Sequence, residues 1–339
     1  MLLTSAGLIM SIALAAAVAP EVQTKTAPGP SSFDLQAHRG GRALWPENTL
    51  VSFAGALSLG VSTLELDTVI TKDGVVIVSH DPLVNPDITR DAKGAFVEKH
   101  GPAFFTLTYA EVQTYDVGRI KPGTPYAALY PEQKGADGVR LPRLIDVFDL
   151  VKKSGNTAVR FNIETKITPQ NPDETPNPQA FAEAVVKVVR EAKMEKRVSI
   201  QSFDWRTLAV VQKIAPEIET VALTTLRPDG GNVQPGKPGV PPGLGGLDVD
   251  SFGGSIPKAV KASGAKVWSP NSNDFGAAEV KEAHDLGLKV IPWTINEIAD
   301  MEKFIDMGVD GIISDRPDRL REALKNKGRT LPAATPVKP

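Results

Sequence analysis

The side chains most suited to chemistry in this sequence stand at the ends of short apolar runs. His38-Arg39-Gly40-Gly41 follows one such run, Glu65-Leu66-Asp67 lies inside a second, His80-Asp81 ends a third and Glu164-Thr165-Lys166 closes a fourth. Residues two apart on a strand share a face, so Glu65 and Asp67 point the same way. Burying two carboxylates costs several kcal/mol unless they are paired or hold a cation. With Glu164 they form a hard oxygen-donor set, for which Mg²⁺ or Ca²⁺ is the expected ion. The residues alone leave a second reading open, in which the same acids pair with Arg39 and Lys166 in a structural charge network. His38 and His80, each beside a charged residue, suit proton transfer at a phosphate: a neutral imidazole takes a proton and a protonated one donates it. Arg39, a planar fork, and Lys166, a point charge, can bear phosphoryl charge.

Composition removes other chemistries. There are 38 basic and 40 acidic side chains, a formal net charge of −2, so the basic excess needed for nucleic-acid backbones is missing. No cysteine is present, which excludes disulfides, thiolate metal sites and cysteine nucleophiles. The chain has four histidines. His100, in an aperiodic stretch, and His284, on an amphipathic segment, read as surface residues.

The elements that must position these groups alternate between short β-branched runs and longer amphipathic segments, the pattern of βα units. Strand-like runs are 35–38, 63–70, 75–79, 158–164, 198–202, 220–224, 266–269, 289–294 and 311–314. Helical patterns cover 49–59, 144–153, 179–193, 205–214, 277–286 and 297–307, and Gly60, Gly155, Gly287 and Gly308 follow four of them as left-handed caps. Thr71-Lys72-Asp73-Gly74 is too short for a parallel crossover, so the second and third runs form a hairpin or share one barrel position. The pattern predicts a (β/α)8 TIM barrel across residues 33–325, with strand carboxyl ends facing a common mouth. Later strand ends bring Gln201, Trp293 and Asp315 to that mouth. Trp293 either offers a flat face to a small alcohol or plugs the rim. Glu47 either approaches the site or serves at the start of the next helix, where Asn48 or Thr49 satisfies the backbone N–H groups, and the structural role is the one expected of Glu47 and Asn48.

Two stretches break the rhythm. Residues 82–141 have no clear period and read as an inserted cap. In residues 227–246, 12 of 20 are Gly or Pro, a lid or a surface loop. Residues 328–339 read as a loose tail. At the other end, residues 1–19 carry a small-residue apolar run ending in Ala17-Val18-Ala19, expected to be an export signal that sends the chain to the periplasm or outside the cell. That run is too short for a confident membrane span.

As an ordered set these motifs resemble the glycerophosphodiester phosphodiesterase family. The resemblance rests on His38-Arg39-Gly40, Pro46-Glu47-Asn48-Thr49, Glu65-Leu66-Asp67, Thr71-Lys72-Asp73-Gly74, His80-Asp81 and Glu164-Thr165-Lys166, and more weakly on Gln201-Ser202-Phe203, Trp293-Thr294-Ile295-Asn296 and Gly311-Ile312-Ile313-Ser314-Asp315. It implies a barrel capped after the His-Asp motif and hydrolysis of glycerophosphodiesters to sn-glycerol 3-phosphate and an alcohol. It further implies His38 and His80 as the acid–base pair, and a divalent ion at Glu65, Asp67 and Glu164. Arg39 and Lys166 match its phosphate contacts, and Gln201 and Trp293 are candidate substrate contacts. The sequence departs from the family pattern at Arg42-Ala43-Leu44-Trp45. A lysophospholipase D or sphingomyelinase D type of enzyme is the nearest alternative, with Phe96, Phe104, Phe105 and Leu107 as an apolar surface. A non-catalytic ligand-binding barrel is the other.

Overall fold

In a computed structural model of the chain, residues 33–227, 231–237, 239 and 241–339 are described, together with Leu2. The expected export signal lies outside the described residues apart from Leu2. The strands are β1 (Asp34–Ala37), β2 (Thr63–Ile70), β3 (Val76–Val78), β4 (Arg160–Thr165), β5 (Val198–Ser202), β6 (Glu219–Thr224), β7 (Val267–Pro270), β8 (Lys289–Val290) and β9 (Gly311–Ser314). They are ordered β8-β7-β6-β5-β4-β2-β1-β9, and each neighbouring pair on that path is parallel. The ends of the path are tied by backbone hydrogen bonds from Asp310 N to Val290 O and from Ile313 N to Pro292 O, both 2.9 Å. The wall is therefore a barrel of eight parallel strands. β3 stands outside it, antiparallel to β2 after the Thr71–Gly74 turn, which resolves the surplus strand as a hairpin.

The helices are α1 (Leu50–Leu59), α2 (Tyr109–Val112), α3 (Pro125–Leu129), α4 (Leu144–Lys153), α5 (Pro178–Ala192), α6 (Trp205–Ile214), α7 (Ile256–Ala262), α8 (Ala277–Asp285), α9 (Ile298–Met307) and α10 (Pro317–Asn326). The longer ones bury one stripe against the sheet: α4 buries Leu144, Val147, Phe148 and Val151, and α5 buries Phe181, Val185 and Val189. α7 and α10 were not anticipated. Each begins with a proline in its first turn, and α10 buries only a sparse apolar set, Leu320, Ala323 and Leu324, among charges. β8 is shorter than the 289–294 run, although Ile291 N and Trp293 N still donate to Trp268 O and Pro270 O of β7, a bridge joins Asn271 to Trp293, and Pro292 adds no N–H.

Inside the barrel the filling changes with position. Val221, Val267, Ile291 and Ile313 pack as one apolar group. On the opposite side Asn162 Nδ2 donates to Gln36 Oε1 at 3.0 Å and to Gln201 Oε1 at 2.9 Å. Residues 82–141 build a small core of their own, with Val84, Phe104, Val112, Val117 and Leu141 set against Val69 and Ile77 of the hairpin. The hairpin is thus the platform that carries the cap.

The carboxyl-terminal tail corrects an expectation. It is docked, not loose, across the amino-terminal end of the barrel. Thr335 N donates to Leu57 O at 2.8 Å, Asn156 Nδ2 donates to Thr335 Oγ1 at 3.0 Å, and Arg321 Nη1 donates to Pro332 O at 2.9 Å. Gly60 permits the approach, since a Cβ there would stand 2.6 Å from Pro332 O. The glycine-rich loop is also anchored where it is described: Asn232 Nδ2 donates to Phe203 O and Leu223 O, and Val233 and Leu244 are buried. Among the described residues no helix is long and apolar enough to cross a membrane.

Candidate active site

β2 is buried along its whole length, and its register sets Asp67 beside Glu164 of β4, which in turn lies beside Gln201 of β5. Glu65, Asp67 and Glu164 thereby converge at the barrel mouth, with one oxygen of each lying within 4.8 Å of the others. Burial, then the charge of Asp67, pushes the Glu65 carboxyl well above its ordinary range. Burial raises Glu164 to about 7 even though Lys166 Nζ stands 2.9 Å from its Oε1. Burial also acts against Asp67, but His80, Lys166 and Arg39 hold it low. Lys166 and Arg39, the latter 3.3 Å from Asp67, thus pair with the cluster without neutralising it. Three converging oxygen donors with unbalanced negative charge fit a hard divalent cation.

The first βα loop carries the opposite wall. Arg39 adopts a left-handed backbone, φ 51°, which aims its N–H at Glu65 Oε2, 2.8 Å away. Gly40 must follow: its φ is +80°, and a Cβ would meet Ser52 Oγ at 2.4 Å. The Arg39 guanidinium donates to Glu47 Oε1 at 2.8 Å. Glu47 also accepts from the Tyr126 hydroxyl of the cap. Asn48 donates to Asp67 Oδ2 at 2.9 Å. Glu47 and Asn48 therefore support the site, which corrects the purely structural role expected of them and removes Asn48 as a cap. The N-cap is Thr49, the other of the two expected caps, whose side chain accepts from Ser52 N at 3.2 Å.

His38 and His80 line one cleft of about 630 Å³ together with Arg39, Glu65, Glu164, Lys166, Phe203 and Trp293. His38 Nδ1 sits 2.6 Å from Asp315 Oδ1, and His80 Nδ1 sits 2.9 Å from Asp81 Oδ1. Burial and then the charge of Arg42 press His38 down to about 4, so it is neutral near pH 7. His80 is also lowered, by burial and by Arg39 and Lys166, although it is the more exposed of the two rings. For Asp315, burial is outweighed by Arg42 and His38, which keep it ionised.

Two expected substrate contacts behave differently. Gln201, an expected substrate contact, lines the cleft, and both ends of its amide also have partners within the protein: Nε2 donates to Glu65 Oε1 at 2.7 Å and Oε1 accepts from Asn162. Its bond to Glu65 orients a carboxylate of the cluster. Trp293 lines the cleft, edge-on to Phe203 at 5.4 Å, with Nε1 donating to Ser269 O. His100 is exposed, and the exposed His284 pairs with Asp310 at 3.0 Å beside the start of β9, away from the mouth. The residues that sequence reasoning missed are Arg42, Tyr126 and Tyr130. Tyr126 and Tyr130 belong to the aperiodic cap, where no pattern marks a side chain as inward-facing.

Comparison with known proteins agrees with this geometry. The model of the glycerophosphoryl diester phosphodiesterase family matches residues 38–319. A glycerophosphodiester phosphodiesterase of Caldanaerobacter subterraneus subsp. tengcongensis is 31% identical over 296 residues, which is 86% of this chain and 98% of that one. A solved structure from Silicibacter pomeroyi DSS-3 that carries the same family assignment superposes with a TM-score of 0.78 at 34% identity, covering 89% of this chain and 96% of its own. An Oleispira antarctica phosphodiesterase solved in complex with sn-glycerol-3-phosphate shares the fold, with a TM-score of 0.62 and 18% identity over 86% of this chain and 96% of that one.

Proposed function

The chain belongs to the glycerophosphoryl diester phosphodiesterase family, enzymes that hydrolyse glycerophosphodiesters, and from that premise we propose that it releases sn-glycerol 3-phosphate and a free alcohol by two-histidine acid–base catalysis. The observation that carries the reading is the meeting of two differently anchored imidazoles and three carboxylates in one cleft.

His38, neutral and anchored through Nδ1, takes the proton of the attacking hydroxyl at Nε2. That hydroxyl belongs to water, or to the glycerol 2-position, in which case a cyclic phosphate forms first and a water then opens it by displacing the 2-oxygen from phosphorus; both routes end in the same products. As the new P–O bond forms, the bond from phosphorus to the leaving alcohol breaks, and His80 gives that oxygen its proton. His80 can be the acid once substrate binds: burial, Arg39 and Lys166 lower it, Asp81 works the other way, and a phosphate anion in the cleft would add a second negative charge that favours its protonated form. Arg39 and Lys166 bear the phosphoryl charge. Glu65, Asp67 and Glu164 would hold one divalent ion, Ca²⁺ or Mg²⁺, which supplies further positive charge against the phosphoryl oxygens. The sn-glycerol-3-phosphate bound by the Oleispira antarctica protein supports the same product here.

The lysophospholipase D or sphingomyelinase D reading needs an apolar track for acyl chains. Phe104 is buried in the core of the cap, and Phe96, Phe105 and Leu107 are not among the cleft-lining residues. The non-catalytic reading is disfavoured because the acid, the base and all three carboxylates are present. The apolar leader supports action in the periplasm or outside the cell, which amino-terminal sequencing of the exported chain checks.

The test is a coupled assay for glycerol 3-phosphate with glycerophosphocholine, run beside choline release from lysophosphatidylcholine. Turnover of the glycerophosphodiester, abolished by EDTA and restored by Ca²⁺ or Mg²⁺, is the expected result. Preferential cleavage of lysophosphatidylcholine, or activity indifferent to chelation, would overturn it.

A further inference from the structure

Arg42 lies between the cleft and the cap. Its side chain is 14% exposed, and its Nε donates to Asp315 Oδ1 at 2.7 Å. The ring of Tyr130, just past α3, covers the guanidinium at 5.0 Å, and Gln133 Nε2 of the cap donates to the Arg42 carbonyl at 2.7 Å. Asp315 and the Tyr130 ring fix the plane of the fork, and the Gln133 bond holds the backbone that carries it. Yet its two terminal amino groups make no hydrogen bond to any described residue, although the side chain lines the cleft beside His38, Arg39 and Tyr130. Neither group is a buried orphan: both keep contact with the open cleft, where a ligand oxygen can meet them. Arg42's one carboxylate partner, Asp315, is shared with His38, and Arg39 is near enough to oppose the Arg42 charge. Two mutually repelling guanidiniums on one wall of a cleft are relieved by an anion between them.

We propose that Arg42 is a second arginine for the substrate phosphate: its Nε edge fixes Asp315, and through it His38, while its terminal amino groups hold a non-bridging phosphoryl oxygen. The cap takes part through Tyr130, whose face keeps the guanidinium flat against the cleft. The inference rests on the reading of the cleft as a phosphodiester site.

The test uses the full chain with saturating Ca²⁺ and compares wild type, Arg42→Gln and Arg42→Lys. The readouts are glycerophosphocholine hydrolysis, inhibition by glycerol 3-phosphate and Ca²⁺ affinity by calorimetry. For Arg42→Gln, the inhibition constant of glycerol 3-phosphate should rise roughly tenfold or more, and kcat should fall by a further factor of that order. Ca²⁺ affinity should stay unchanged. Arg42→Lys keeps the charge and loses the fork, so product binding should recover in part while kcat stays low. Unchanged product inhibition in Arg42→Gln would overturn the proposal, as would full kcat in Arg42→Lys. If Arg42→Gln does not fold, Arg42→Lys alone decides by its kcat. A wild type inert toward every glycerophosphodiester would instead remove the functional reading beneath it.

Discussion

Nδ1 of His38 lies 2.6 Å from Oδ1 of Asp315, a contact between residues 277 positions apart that joins the end of the first barrel strand to the end of the last. Asp315 also accepts from Arg42 Nε at 2.7 Å and from Asn296 Nδ2 at 2.9 Å. An ionised carboxylate only accepts, so His38 must carry its proton on Nδ1, which leaves the Nε2 lone pair for the cleft.

Asp315→Asn removes that instruction, because an amide can donate to Nδ1 and stabilise the wrong tautomer. By analogy with other carboxylate-oriented histidines, kcat should fall by about 10²- to 10⁴-fold. Steady-state kinetics on folded protein checks this. Wild-type kcat would show that the carboxylate does not set the imidazole.

Gln201→Leu separates two roles. Its amide holds Glu65 Oε1 at 2.7 Å, so the loss should weaken divalent-ion affinity by about 10- to 100-fold. KM at saturating ion should hardly change. A raised KM with intact ion affinity would restore Gln201 as a phosphate contact.

The docked tail makes a prediction about stability alone. Deleting residues 330–339 removes the Thr335 hydrogen bonds and exposes surface that Leu331 and Val337 help to cover. A loss of about 2 kcal/mol is expected in urea unfolding. Because the tail lies at the end of the barrel opposite the mouth, kcat/KM at low temperature should be unaffected. An unchanged unfolding midpoint would show the tail to be unattached in solution.

Asp34, in β1 at that lower end, carries a carboxyl raised above its ordinary value of 3.8 by burial. The unfolded chain releases this proton near its ordinary value while the folded chain retains it, so the residue erodes stability as pH rises above 3.8 toward the folded value. Asp34→Asn should match wild type at the acid end of that window and gain on it as pH increases. An asparagine fits because the Thr63 hydroxyl, now a donor to Asp34, can turn and accept. A stability difference between the two that does not vary with pH would contradict this account.

The barrel and its reactive groups were legible because both obey short-range rules. A period of two placed Glu65 and Asp67 on one face, and the strand-end rule brought His38, His80 and Glu164 to the same mouth. What escaped depends on long-range packing. Arg42 acquires its meaning only from Asp315 and Tyr130, and Tyr126 reaches Glu47 from a cap whose residues follow no period. The Gln201 bond to Glu65 also escaped, because a polar strand end does not reveal whether it faces the ligand, a neighbouring carboxylate or both. The tail was misread because docking by backbone carbonyls and threonine leaves little mark in composition.

The central claim is that His38 and His80 move the protons of hydrolysis beside an ion held by three carboxylates. It is tested most directly by the turnover of His38→Ala and His80→Ala with glycerophosphocholine, measured with Ca²⁺ stoichiometry on the same folded samples. One ion per chain is expected in both variants, with kcat reduced by about 10²-fold or more in each. Either variant turning over within a few-fold of wild type would contradict it.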